Sequence, residues 1–113
     1  MIVTDGLEDT ATALSARWTN GEAGTDNTTP ALSQTSLITG VAATNATLNN
    51  TTSGTSFQTV HFISSATATG NAFTEWSVEK SDATLISRAV TASTNHTAND
   101  EITKITTFNI LNR

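Results

Sequence analysis

Residues 72–88 read Ala72-Phe73-Thr74-Glu75-Trp76-Ser77-Val78-Glu79-Lys80-Ser81-Asp82-Ala83-Thr84-Leu85-Ile86-Ser87-Arg88, and this stretch decides the fold class. Over 73–80 the side chains alternate: Trp76 and Val78 fall on one face, Glu75, Ser77 and Glu79 on the other. A period of two belongs to a pleated strand whose two faces meet different surroundings. A polar turn at 81–83 follows. Residues 84–92 then place Ile86 and Val90 on one side with Arg88 between them. The stretch therefore predicts two strands joined by a short turn.

The same period continues on both sides. Residues 101–112 set Ile102, Phe108 and Ile110 on one face and Ile105 and Leu111 on the other. Apolar groups on both faces predict a central strand or one buried at an interface. Upstream, 56–64 carries Phe57, Val60, Phe62 and Ile63, and 41–50 is a weakly alternating run of Thr and Ala. Turn-like separators stand at 51–55, 66–71 and 94–100. Strands at this spacing with no helices between them predict an antiparallel sandwich or barrel. Abundant Thr suits a half-buried pleated surface. Residues 18–40 read as a turn-rich loop region, with Asn20-Gly21 as a tight-turn signal and Pro30 as the chain's one proline. Residues 5–17 predict a short helix. Asp5 and Glu8 have capping-box spacing, and Leu7, Ala11 and Leu14 fall on one helical face. The expectation is an all-β fold: one small antiparallel β-sandwich over 1–113, jelly-roll or Ig-like, with a short N-terminal helix and strands across 41–112.

Composition narrows the function classes. Net charge is −5, and polarity comes mainly from 25 Thr, 11 Ser and 10 Asn rather than from charged groups. No basic patch suits a phosphate backbone, and no apolar run is long enough for a membrane span, so neither nucleic acid nor membrane is an expected partner. The absence of Cys excludes disulfides, a thiol nucleophile and Cys-based zinc sites. Leu, Ile, Val and Phe total only 23, so the core is thin. Burial against neighbours would then add needed stability, which predicts a homo-oligomer or a subunit of a larger particle. Residues 1–5 lack the basic and apolar regions of a secretory signal, so folding in a cytoplasm is expected. Five Asn-x-Ser/Thr sequons, at Asn27, Asn45, Asn49, Asn50 and Asn95, arise by chance in so Asn- and Thr-rich a chain.

No reactive constellation emerges. His61 alternates opposite Val60 and Phe62 and reads as a strand histidine meeting water or a neighbouring chain; His96 reads as a solvated turn residue. There is no Gly-x-Ser-x-Gly elbow and no Gly-rich phosphate loop. Acidic groups at Asp26, Asp82, Asp100 and Glu101 lack calcium-loop spacing and read as turn chemistry. Glu75 and Glu79 share a face. As a glycosidase pair they would need a cleft and a raised pKa; a solvated edge or an ion pair with Arg88 or Lys80 is the expectation. Trp18 and Trp76 read as core rather than as a sugar platform. No catalytic residue, cofactor or metal is predicted.

The hairpin 72–88 resembles a hairpin of virion proteins from tailed bacterial or archaeal viruses: hydrophobic–Thr/Arg–Glu–hydrophobic–Gly–hydrophobic–Phe, a turn, then Leu–hydrophobic–x–Arg. Tail-fibre, tail-collar and capsid-surface decoration proteins carry versions of it. Gly24-Thr25, Thr29-Pro30 and Ser33-x-Thr35-x-Leu37 are similar to the loop that precedes it there. Ser77 stands in place of the Gly, and Glu79 where an aromatic is common. The resemblance implies a non-enzymatic β-sandwich subunit of a virion, assembled in the host cytoplasm. It would decorate or cement the capsid as a trimer or pentamer against the major capsid protein. The alternatives are a tail-appendage subunit among tail proteins, or a receptor- or glycan-binding module using loops 20–30 and 94–100. Candidate interface residues are Ile105, Leu111, Trp76 and Arg88.

Overall fold

A computed structural model of the chain describes residues 1–111. They form a helix, α1 (Thr4–Arg17), and seven strands: β1 (Asn20–Gly24), β2 (Gly40–Thr47), β3 (Asn49–Ser53), β4 (Ser56–Ile63), β5 (Ala72–Glu79), β6 (Leu85–Asn95) and β7 (Ile102–Asn109). Two antiparallel sheets face each other, a four-stranded one ordered β2-β1-β5-β6 and a three-stranded one ordered β3-β4-β7. This is the small antiparallel β-sandwich with a short N-terminal helix. The four-plus-three count is that of an immunoglobulin constant domain, but the strand order is different.

The hairpin β5–β6 forms where the sequence puts it. Its turn is closed by Lys80 N–H to the Thr84 carbonyl (3.0 Å) and Ala83 N–H to the Lys80 carbonyl (2.9 Å). Ala83 takes a left-handed φ of 68° to make it. Simple alternation would set Phe73 opposite Trp76. A register shift between Phe73 and Glu75 instead lets both rings face inward, with centroids 5.8 Å apart. They join Ala23, Ile63 and Ile102 in the core between the sheets, with Val41 and Ala68 packed against it.

On the three-stranded sheet, register decides the faces. Phe57 pairs with Phe108, His61 with Lys104 and Ile63 with Ile102, all inward; Val60 with Ile105 and Phe62 with Thr103 point outward. Trp18 meets Phe57 and Phe108 edge-on at 5.7 and 5.3 Å, with α1 against β3 and β4 at this end. Asn50 on β3 donates 2.8 Å bonds to the Ser15 and Trp18 carbonyls, satisfying the C-terminal end of α1.

Several expectations give way. Residues 20–24 are a strand inside the four-stranded sheet, not part of a loop. Their glycines, read as turn signals, serve close packing: a Cβ on Gly24 would overlap the Thr39 carbonyl and the Glu75 carboxylate. The run 41–50 is two strands in different sheets, divided at buried Leu48. β7 is an edge strand rather than a central one. Asp5 lies in the first turn of α1, whose N-cap is Val3 with no side-chain cap, so the capping box does not form. Both histidines are interior, His61 3% and His96 2% exposed, because β4 turns His61 to the same side as Phe57 and Ile63. Position 112, the expected end of the last strand, lies outside the described residues.

Candidate functional site

The outward face of the four-stranded sheet carries the chain's charged cluster. Glu75, on β5, has no exposed surface and pairs with Arg88 Nε on β6 at 2.9 Å. Its carboxylate also accepts the N–H groups of Asp26 (3.1 Å), Ile38 (2.9 Å) and Thr39 (2.7 Å). Arg88 Nη1 donates to the Thr28 carbonyl at 2.7 Å, and Nη2 lies 3.4 Å from Asp26 Oδ1. One ion pair thus ties both ends of the segment 25–39 onto the sheet. Desolvation works against the Glu75 charge, but Arg88 and the three N–H donors outweigh it and hold the pKa below the usual carboxylate range. Hydrogen bonds from Thr28 likewise hold Asp26 down.

Beside the pair, Ser77 Oγ donates to Glu79 and accepts the Glu22 N–H at 2.9 Å. Glu22 is half-buried; desolvation first, then the carboxylates of Glu79 and Glu75, push its pKa up. A groove of about 370 Å3 runs between Pro30–Gln34 and the start of β6, lined by Leu32, Ile86 and Arg88. The Arg88 charge is already engaged by Glu75, Asp26 and Thr28, so it is not offered to a ligand there.

The outward face of the three-stranded sheet differs in every respect. Phe62 and Ile105 are 50% and 52% exposed, with Val60 directly across from Ile105. Gln58, Thr103, Thr107 and Asn109 surround them, and none of the described residues turned to this face is charged. The edge strands β2 and β3 are likewise uncharged.

These positions sort the candidate residues into two groups. Ile105 and Leu111, 60% exposed, remain available to a neighbour. Trp76 and Arg88 do not. Trp76 is 4% exposed in the core with Nε1 bonded to Thr91 Oγ1, and Arg88 is 8% exposed under the segment 25–39. The Glu75–Arg88 ion pair forms as one of the expected alternatives, and the solvated edge does not. Glu75 and Glu79 cannot serve as a glycosidase pair, since Glu75 is covered and its pKa is lowered rather than raised. The segment 20–30 is no free tip, because its first five residues are β1. Phe62 was missed as a surface candidate. Its signal was its alternation with Phe57 and Ile63, which only a known inward face could have turned into a prediction.

Among the described residues no group of three or more His, Cys, Asp or Glu is placed to hold a metal ion, and no helix is long and apolar enough to cross a membrane. Comparisons with protein-family models, curated proteins and solved structures find no match.

Proposed function

We propose that this protein is a non-enzymatic structural subunit of a tailed-virus particle. It sits on the capsid surface, and its copies pack against one another through the outward face of β3-β4-β7. The observation that carries the reading is that face: Phe62 and Ile105, diagonal to each other across β4 and β7, on a surface where no described residue is charged. A chain of net charge −5 repels its copies wherever carboxylates meet. The acidic groups lie on α1, β1, β5 and connecting segments, so copies meet on this face without that penalty. Sheets pack well face to face, and exposed apolar patches mark such contacts.

The area sets the scale of the assembly. Three strands ~4.8 Å apart and up to ~26 Å long present roughly 350 Å2. That is about half of what one partner gives to a standard interface. Such a contact is weak alone and suits a particle on which many copies add up by multivalency. The hairpin β5–β6, with its resemblance to virion hairpins, points the same way.

Immunogold microscopy of particles with antibody to this chain tests the reading. Label over the heads supports the capsid-surface role. Label at the tail moves the subunit to an appendage, and unlabelled particles overturn the virion reading. Sedimentation of the isolated chain tests the face separately: concentration-dependent association is expected, abolished by Phe62→Thr with Ile105→Thr.

A further inference from the structure

Two histidines span the gap between the sheets. His61, on β4, places Nε2 2.8 Å from the Thr44 carbonyl oxygen on β2. His96, just after β6, places Nε2 2.9 Å from the Ser64 carbonyl oxygen, just after β4. Each bond therefore joins one sheet to the other. A carbonyl can only accept, so each ring carries its proton on Nε2 and leaves Nδ1 as a lone pair in the neutral form. Both Nδ1 atoms are buried and have no hydrogen-bond partner among the described residues. The two rings bracket the aromatic core in a continuous row. His61 meets Trp76 at 5.9 Å, Trp76 meets Phe73 at 5.8 Å, and Phe73 meets His96 at 5.9 Å.

We propose that His61 is an acid-released clasp: as a neutral imidazole it fastens the four-stranded sheet to the three-stranded one, and protonation at its Nδ1 loosens the sandwich. A proton on Nδ1 creates a buried N–H donor without an acceptor, together with a charge among aromatic rings. The site accommodates one protonation state only. This inference stands apart from the virion reading and survives its failure.

The charges around His61 are mixed. Lys104 on β7 lies directly across the ladder and disfavours a second cation; Glu79 on β5 favours one. β1 brings Gly21 to the ring and β2 the Thr44 carbonyl, neither of them charged. Burial outweighs the carbonyl bond and Glu79, and lowers the His61 pKa. The His96 ring meets Phe73 and the Ser64 carbonyl. The acidic groups of its own loop, Asp100 and Glu101, are exposed, and Asp100 accepts from Thr97 Oγ1 at 2.9 Å.

The sign follows from linkage. The folded His61 pKa lies below its unfolded value of about 6.5, so the unfolded chain takes up the proton first. The stabilisation is complete above that value. It falls as pH drops toward the lowered folded pKa, by up to about tenfold in the folding equilibrium constant per pH unit. Glu75, Asp26 and Asp82, with lowered pKa values, lose their contributions only in more acid solution; Glu22, with a raised one, acts with the opposite sign.

Urea unfolding of the full chain between pH 7.5 and 5.0, with nitrogen NMR of the imidazoles over the same range, tests the clasp. The midpoint is expected to fall with pH, while the His61 ring in the folded protein keeps the neutral Nε2–H form to lower pH than a free imidazole does. His61→Gln keeps a donor for Thr44 but cannot titrate, and its profile should flatten by up to about one proton. A midpoint constant across the range overturns the proposal. So does a His61 ring that titrates in the folded state without loss of stability, or a Gln variant with the native slope. Should the variant fail to fold, the native profile and the His61 tautomer still decide.

Discussion

The two sheets of this protein turn opposite characters to the outside. The four-stranded sheet presents Glu22, Glu75, Glu79 and Arg88, yet its central ion pair is roofed by the chain's own segment 25–39. The three-stranded sheet presents Phe62 and Ile105, 50% and 52% exposed, and no segment of the described residues roofs them. Charge on a sheet face is tolerable here because loop N–H and carbonyl groups saturate it; a desolvated charge without them would be costly. Apolar groups make no such demand and can be left for a partner. One face is thus covered within the chain, and the other is left open to solvent.

Breaking the covered face should have the largest effect. Arg88→Ala leaves the Glu75 carboxylate without its cation and releases the Thr28 carbonyl. A loss of about 3 kcal/mol or more is expected in urea unfolding, with proteolysis appearing first within 25–39. Gly24→Ala forces a Cβ into the Thr39 carbonyl and Glu75. Thermal unfolding should show about 1–3 kcal/mol of destabilisation from overpacking.

Acid probes the same face more gently. The folded Glu75 pKa is depressed, so its stabilisation is present above the unfolded value of about 4.3 and lost as pH falls through the folded one. A Glu75→Gln chain should start less stable at neutral pH and lose less below pH 4, as read by unfolding midpoints. The smallest effect on folding belongs to the bare face. Phe62→Thr with Ile105→Thr should change the stability of the isolated chain by less than about 1 kcal/mol while removing self-association in sedimentation. If stability fell as steeply as in Arg88→Ala, the two faces would not differ as described.

The hairpin 72–88 and the helix were legible because alternation and the spacing of Leu7, Ala11 and Leu14 are local signals. β1 was not. Its Asn-Gly-Glu-Ala-Gly has the composition of a turn, and only its place between β2 and β5 makes it a strand. The ion pair could be suspected from Glu75 and Arg88 on neighbouring strands. Its roof could not, since the donors to Glu75 are backbone groups of Asp26, Ile38 and Thr39, which carry no side-chain signature.

By itself the sequence determined an all-β chain with a short leading helix, a thin core and few charges, because periodicity and composition act residue by residue. Which face of each strand points inward was decided only by the tertiary structure. Register turned His61 into the core and Phe62 out of it, and a bulge brought Phe73 beside Trp76. The physical reason is that a strand's period of two divides its residues into two faces without saying which one another sheet will cover.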